Sequence, residues 1–149
     1  MKSIRELLTD RGTVSVTASE TVLSAVKTMQ EEHVGALLVT TPEGTLGMFT
    51  ERDLMLRVVV AGRDPGSTTV GEVMTTDLFT AAPEQRINDV AHEMQARHIR
   101  HLPVVDEGRV VGMLSLRDLL REHLQIKRDE VRQLTSYIQG DGEGPHLGS

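Results

Sequence analysis

The 149-residue chain has no cysteine and no tryptophan, and its only aromatic side chains are Phe49, Phe79 and Tyr137. Without cysteine, disulfide scaffolds, thiol catalysis and cysteine-bound zinc are excluded. With so few rings, bases have almost nothing to stack on, and the core must be built from Val, Leu, Ile, Met and Ala. Positive charge is also short: 16 Lys and Arg stand against 22 Asp and Glu, a formal net charge of -6. Duplex-binding proteins carry a basic patch that displaces counterions. None is visible, so nucleic acid is not expected as a partner. No apolar run approaches the ~20 residues of a membrane helix. Met1 to Asp10 mixes charge with apolar residues and does not read as a signal peptide. The default expectation is a cytoplasmic protein with no membrane partner. Phosphate-loop, zinc-protease and nucleophile-elbow motifs are absent. No catalytic residue is expected, and the chain is not read as an enzyme.

What the sequence does contain is a repeat. Shifted by 65 residues, 13–57 falls on 78–122 without a gap, and ten of 45 positions are identical. Met29-Gln30 falls on Met94-Gln95, His33 on His98, Leu37 on Leu102 and Val39 on Val104. Gly47-Met48 falls on Gly112-Met113, and Arg52-Asp53-Leu54 on Arg117-Asp118-Leu119. Each copy reads as β-α-β-β-α. Thr13 to Thr17 is a short strand. Val22, Ala25, Val26 and Met29 mark one face of a helix, as do Ile87, Val90, Ala91 and Met94. Ala36–Val39 and Leu102–Val105 are buried strands. Turns at 41–44 and 106–108 lead into third strands at Leu46–Phe49 and Val110–Leu114. A second helix starts at Glu51 or Leu116.

About 60 residues barely support a core, so the two sheets are expected to pack together about a pseudo-twofold, leaving clefts along the seam. The fold class is α/β (α+β). The spacing predicts repeat one with an N-terminal helix over 1–60, a linker over 61–77 and repeat two over 78–122. A helical extension over 123–139 and a disordered tail over 140–149 follow. Within the linker, Val70 to Met74 reads as one helical turn. Along the extension Leu120, Leu124, Val131, Leu134 and Ile138 form an apolar seam interrupted by Lys127. That seam and the second helices are expected to meet a second copy, making a homodimer.

Thr50-Glu51-Arg52-Asp53 and Ser115-Leu116-Arg117-Asp118 both sit where a strand turns into a helix. One reading is a capping box. The other is a phosphate at the helix N-terminus with the Asp accepting ribose hydroxyls. The two are compatible. His92, His98 and His101 lack the spacing and the acid of a metal site, so no metal is expected. His33 and His98 read as polar caps where a helix ends.

Ile99-Arg100-His101-Leu102-Pro103-Val104-Val105-Asp106, followed by Gly112-Met113-Leu114-Ser115-Leu116-Arg117-Asp118, resembles the signature stretch of a CBS (cystathionine-β-synthase-type) domain. Val34-Gly35-Ala36-Leu37-Leu38-Val39 with Gly47 to Asp53 is a looser copy. It departs at Leu38, where the family often has proline. The segment from Leu134 to Gly140 also resembles the end of stand-alone bacterial CBS pairs. The resemblance implies a Bateman module, a pair of repeats that dimerises into a flat disc. Its clefts take adenosine compounds: AMP first, with ADP, ATP, NAD or S-adenosylmethionine as the other candidates. It also implies a regulatory role toward a partner protein that the sequence does not name. Asp53 and Asp118 would hold ribose, with Thr50, Arg52, Ser115 and Arg117 near phosphate. Thr13, Val14, Leu78, Phe79, Val34 and Ile99 would sandwich adenine, and Pro103 lies in the same stretch.

The repeats differ at one place in this pattern, where Arg100-His101 replaces Gly35-Ala36. Phosphorylated adenosine is therefore expected to prefer the Asp118 cleft, and the small residues are expected to leave room in the other for a bulkier ligand such as NAD. The competing expectations are a structural dimer with empty clefts and a nucleotide hydrolase using Asp53 or Asp118.

Overall fold

The computed structural model describes residues 2–8, 13–44 and 47–140, except for the side chains of 126 and 137–140. The expected tail beyond 140, Leu46 at the start of a strand and the Ile138 side chain lie outside that description. The elements are α1 (Ile4–Leu7), β1 (Ser15–Thr17), α2 (Val22–Glu32), β2 (Ala36–Thr40), β3 (Gly47–Thr50) and α3 (Glu51–Asp53). A π-helical stretch (Leu54–Val59) continues α3. Then follow α4 (Val70–Val73), α5 (Ile87–Ala96), β4 (His101–Asp106), β5 (Arg109–Ser115) and α6 (Leu116–Gly140).

In repeat one, β2 lies between β1 (parallel) and β3 (antiparallel). Helix α2 turns Val22, Ala25 and Met29 onto this sheet, against Leu37, Val39 and Phe49. The Thr21 hydroxyl caps its start by accepting from the Ser24 amide at 3.1 Å. Repeat two matches it with Ile87, Val90 and Met94 against Leu102, Val104 and Leu114. His33 and His98 both take left-handed backbone, φ 54 and 56, where these helices end.

The second sheet is smaller than the repeat predicts. β4 pairs with β5, and the first strand is reduced to one bridge between Ala81 and Val104. Two prolines explain this. In repeat one the amide of Ala18 donates to Thr40 and that of Leu38 donates to Val14, at 2.9 and 3.0 Å. Pro83 and Pro103 stand at the equivalent positions and have no N–H to give. Only the bonds from Ala81 to Pro103 and from Val105 to Ala81 survive. The β4–β5 hairpin closes on Glu107 and Gly108, both at positive φ (51 and 78), as a two-residue turn between twisted strands requires.

A third apolar cluster joins the repeats. Ala36, Leu38 and Met48 from the outer face of sheet one meet Leu78, Val110 and Met113 of repeat two. The sheets thus pack face to face, as expected.

The segments that precede each repeat are exchanged. Ile4, fully buried, fills the core of repeat two, and the amides of Ile4 and Arg5 donate to Gln85 and Pro83. Val70 and Val73 of α4 fill the core of repeat one, and the amides of Val70 and Gly71 donate to Glu20 and Ala18. The helical turn that leads into repeat two thus packs on repeat one. Two repeated glycines make the crossings possible. A Cβ at Gly47 would lie 2.6 Å from Met74 Sδ, and one at Gly112 would lie 2.5 Å from Leu8 Cδ2.

Helix α6 runs 25 residues. Its outer residues Leu120, Leu124, Val131 and Leu134 are exposed, as are Met55 and Val59 of the second helical segment of repeat one. Met55 and Val59 are the 65-residue equivalents of Leu120 and Leu124. Among the described residues no helix is long and apolar enough to cross a membrane.

Candidate functional site

The two aspartates sit at equivalent places and in different surroundings. In repeat one Thr50 caps α3. Its hydroxyl accepts from the Asp53 amide at 3.2 Å, and Asp53 Oδ2 accepts from the Thr50 amide at 3.0 Å. The capping box is therefore formed. Asp53 Oδ1 accepts from the Thr75 hydroxyl at 3.0 Å and lies 3.7 Å from Arg57 Nε. Both carboxylate oxygens are engaged, and Asp53 is only 6% exposed.

In repeat two the Ser115 hydroxyl accepts from the Asp118 amide at 3.0 Å. The Asp118 carboxylate points to solvent with 58% of its side chain exposed, and its one described neighbour of opposite charge is Arg121 at 3.9 Å. A carboxylate in that state can accept two hydrogen bonds from a ligand without giving up others.

His101, the first residue of β4, stands between the repeats. A Cβ on Gly35 would lie 3.1 Å from Glu51 Oε1 and 3.3 Å from His101 Cε1. The room that the small Gly35 is expected to leave is thus taken by these two side chains. Burial holds the His101 imidazole below its ordinary range. The Glu51 and Asp118 carboxylates pull it up, and Arg100 pushes it further down. At neutral pH the ring is an uncharged donor or acceptor, so the fixed positive charge described beside Asp118 is that of Arg121. Arg100 and Arg117 are exposed, and among the described residues neither side chain makes a hydrogen bond or an ion pair. Arg52, by contrast, donates to the carbonyl of His98 at 3.1 Å and ties α3 to repeat two.

The apolar candidates separate into three groups. Val14 and Val34 pack on the core of repeat one, and Phe79 and Ile99 on that of repeat two. Leu78 joins Ala36 between the sheets. Pro103 is buried within β4, where its carbonyl receives the Ala81 amide. Thr13 is partly buried ahead of β1. The face of Phe79 is covered by the Arg97 guanidinium, 4.3 Å from the ring centroid. Two open concavities on repeat one, along α2 and at the ends of β1 and β2, include none of these residues. Among the described residues no three His, Asp or Glu side chains come together as metal ligands.

Four residues with parts in this arrangement carry no role in the sequence reading: Glu51, Arg57, Thr75 and Arg97. Arg57 follows Asp53 by four residues on one helix, a spacing that brings acid and base together. Thr75 reaches Asp53 only through the fold and leaves no local signal.

The pattern of the CBS domain matches residues 4–60 and 70–124. The chain belongs to the CBS-domain family. Both matches include the exchanged segments, so each CBS unit of sequence supplies the segment that completes its neighbour's core. The chain is 38% identical over 129 residues to the CBS domain-containing protein CBSX3, mitochondrial, of Arabidopsis thaliana, covering 83% of this chain and 63% of that protein. It is 36% identical over 119 residues to the CBS domain-containing protein YhcV of Bacillus subtilis, covering 80% and 84%. Among solved structures, a CBS-domain containing protein from Agrobacterium tumefaciens superposes with a TM-score of 0.74 at 28% identity, covering 80% of this chain and 91% of that one. A hexameric CBS-CP12 protein from bloom-forming cyanobacteria gives 0.72 at 25% identity, covering 91% and 83%. CBS pairs of this kind are in general regulatory modules, and the solved relatives include oligomers.

Proposed function

We propose that this CBS pair is an adenine-nucleotide sensor whose principal site is the Asp118 cleft. The observation that carries this reading is the contrast between the two aspartates. Asp53 is buried with both oxygens engaged, whereas Asp118 is open, with only Arg121 at 3.9 Å as a described neighbour of opposite charge. In this reading Asp118 accepts the ribose hydroxyls. Ser115 and the first amides of α6 face the phosphate, and Arg100 and Arg117 neutralise it. His101 adds an uncharged hydrogen bond. AMP is the first candidate, and ADP, ATP, NAD and S-adenosylmethionine share its adenosine. The nucleotide favours one arrangement of the two repeats, and that bias passes to a regulated protein by population shift. The module works in the cytoplasm, where these ligands are abundant.

A thermal-shift screen with the five compounds tests the reading. A ligand at about 100 times its Kd adds about 2.7 kcal/mol, which raises the Tm of a chain of this size by roughly 5–10 °C. If none of the five shifts the transition, the clefts are empty and the module is structural. Product analysis after incubation covers the hydrolase alternative, for which any turnover that depends on Asp118 is the deciding result.

The same reading includes a homodimer. The exposed pairs Met55/Val59 and Leu120/Leu124 repeat on the second helices of both CBS units, and Val131 and Leu134 extend them. Apolar surface in that arrangement marks an interaction site. Sedimentation at micromolar concentration is expected to show a dimer, and Leu124→Glu to shift it to monomer. A wild-type monomer would sink the idea.

A further inference from the structure

Resting on the nucleotide-sensor reading, we infer that Thr75 is a specificity-determining lock that keeps the Asp53 cleft from accepting a ribose, so that each chain takes one nucleotide and not two. Thr75 lies in the segment leading out of α4. That segment adds to sheet one through two backbone bonds, Met48 amide to Thr75 carbonyl at 2.9 Å and Thr75 amide to Met48 carbonyl at 2.8 Å. These bonds leave the Thr75 side chain little freedom, and its hydroxyl donates to Asp53 Oδ1 at 3.0 Å. Arg57 secures the same segment. Its Nη1 donates to the Met74 carbonyl at 3.0 Å while its Nε faces Asp53 Oδ1. The oxygen that a ribose would use is thus held by a hydroxyl from the chain itself.

The capping box accounts for only half of this. Thr50 takes Oδ2, which is what a helix N-terminus requires of an acid at its third position. Nothing in the cap requires a partner for Oδ1. Thr75 supplies it from 22 residues away, in the place where a sugar hydroxyl would donate. Removing that side chain exposes a carboxylate oxygen already set for ribose. With Gly35 and Ala36 where repeat two has Arg100 and His101, the opened site has no extra cation for phosphate. Adenosine should therefore fill it nearly as well as AMP.

Titration calorimetry with AMP and with adenosine tests the lock on the wild type, Thr75→Ala, Thr75→Val and Thr75→Ser. One AMP per chain is expected for the wild type and for Thr75→Ser, which keeps the hydroxyl. Two are expected for Thr75→Ala, the second also taking adenosine within about threefold of its AMP affinity. Thr75→Val keeps the side-chain shape and lacks the hydroxyl, so a second site there too traces the block to the hydrogen bond. Adding Asp53→Asn to Thr75→Ala should remove the second site and leave the first. Two equal AMP sites on the wild type overturn the inference without any variant, and so does a folded Thr75→Ala protein with one. A wild type that binds no nucleotide, beside a Thr75→Ala that binds one, keeps the lock and defeats the reading of the Asp118 cleft. No binding by any of the four defeats both.

Discussion

Arg100→Ala is expected to weaken AMP binding roughly tenfold, and Asp118→Ala by more, with Asp118→Ala unfolding within a few degrees of the wild type. A hydrogen bond to a charged group contributes about 1.5–3 kcal/mol, and each ~1.4 kcal/mol is a tenfold change in Kd. Arg100 is solvated in the free chain, which brings its share toward the lower figure. In the proposed site Asp118 would accept two hydrogen bonds from the sugar, and the variant gives up both. Its removal costs little stability, because the Ser115 hydroxyl that caps α6 stays in place and the carboxylate is exposed. Calorimetry with AMP on the two variants measures this. If Arg100→Ala leaves the tighter event untouched while Asp53→Ala removes it, the clefts have been assigned the wrong way round.

Asp53→Ala is expected to show the reverse, a large loss of stability. The substitution deletes the acid half of a capping box and abandons the Thr50 amide, the Thr75 hydroxyl and Arg57 beside a residue that is 6% exposed. The Thr50 hydroxyl still caps the helix, so only the reciprocal bond of the box is lost with the acid. Leaving buried donors without an acceptor adds about 1–3 kcal/mol. At the upper end, about 3 kcal/mol, this lowers Tm by roughly 6–12 °C in a domain of this size. Thermal unfolding of Asp53→Ala and Asp118→Ala side by side checks it. Equal Tm values would mean that the buried network around Asp53 does not hold the first repeat together.

The sequence alone carried the architecture because the duplication makes each local signal appear twice. Val22, Ala25 and Met29 are matched by Ile87, Val90 and Met94, and both sets lie on the buried face of a helix. The run to about Gln139 became a helix ending at Gly140. The reduced first strand of repeat two was legible in principle, since Pro83 and Pro103 stand where the first repeat donates amides. Repeat-to-repeat comparison hides it, because alignment rewards likeness and a missing N–H is a difference. The exchange of Ile4 and Val70 was not legible, because periodicity says that a side chain is buried and never in which core. The two aspartates share the Arg before and the Leu after them, and they differ locally at the fourth residue on, Arg57 in one repeat and Glu122 in the other. Arg57 could have been read from its spacing, whereas Thr75, the other partner of Asp53, lies outside any window around either residue. The difference at Arg100 was visible in the repeat comparison, its place in the Asp118 cleft is what the family resemblance implies, and among the described residues no acidic side chain pairs with it.

The exchanged segments also order events in time. Ile4 leaves the ribosome well before the residues that surround it, since Ile87, Leu102 and Leu119 of that core follow it by 83 to 115 positions. It has no site to occupy until nearly the whole pair has been made. Closing a loop of that length carries an entropic cost that grows only slowly with distance, but the wait itself cannot be shortened, and contacts so far apart in the chain slow folding. Repeat one has its plug within reach much sooner, because Val70 and Val73 follow Val58 directly. The first unit can therefore close while the second is still being synthesised. Repeat two is complete only when Ile4 has returned to its core, so the first residues made are among the last that the pair can bury.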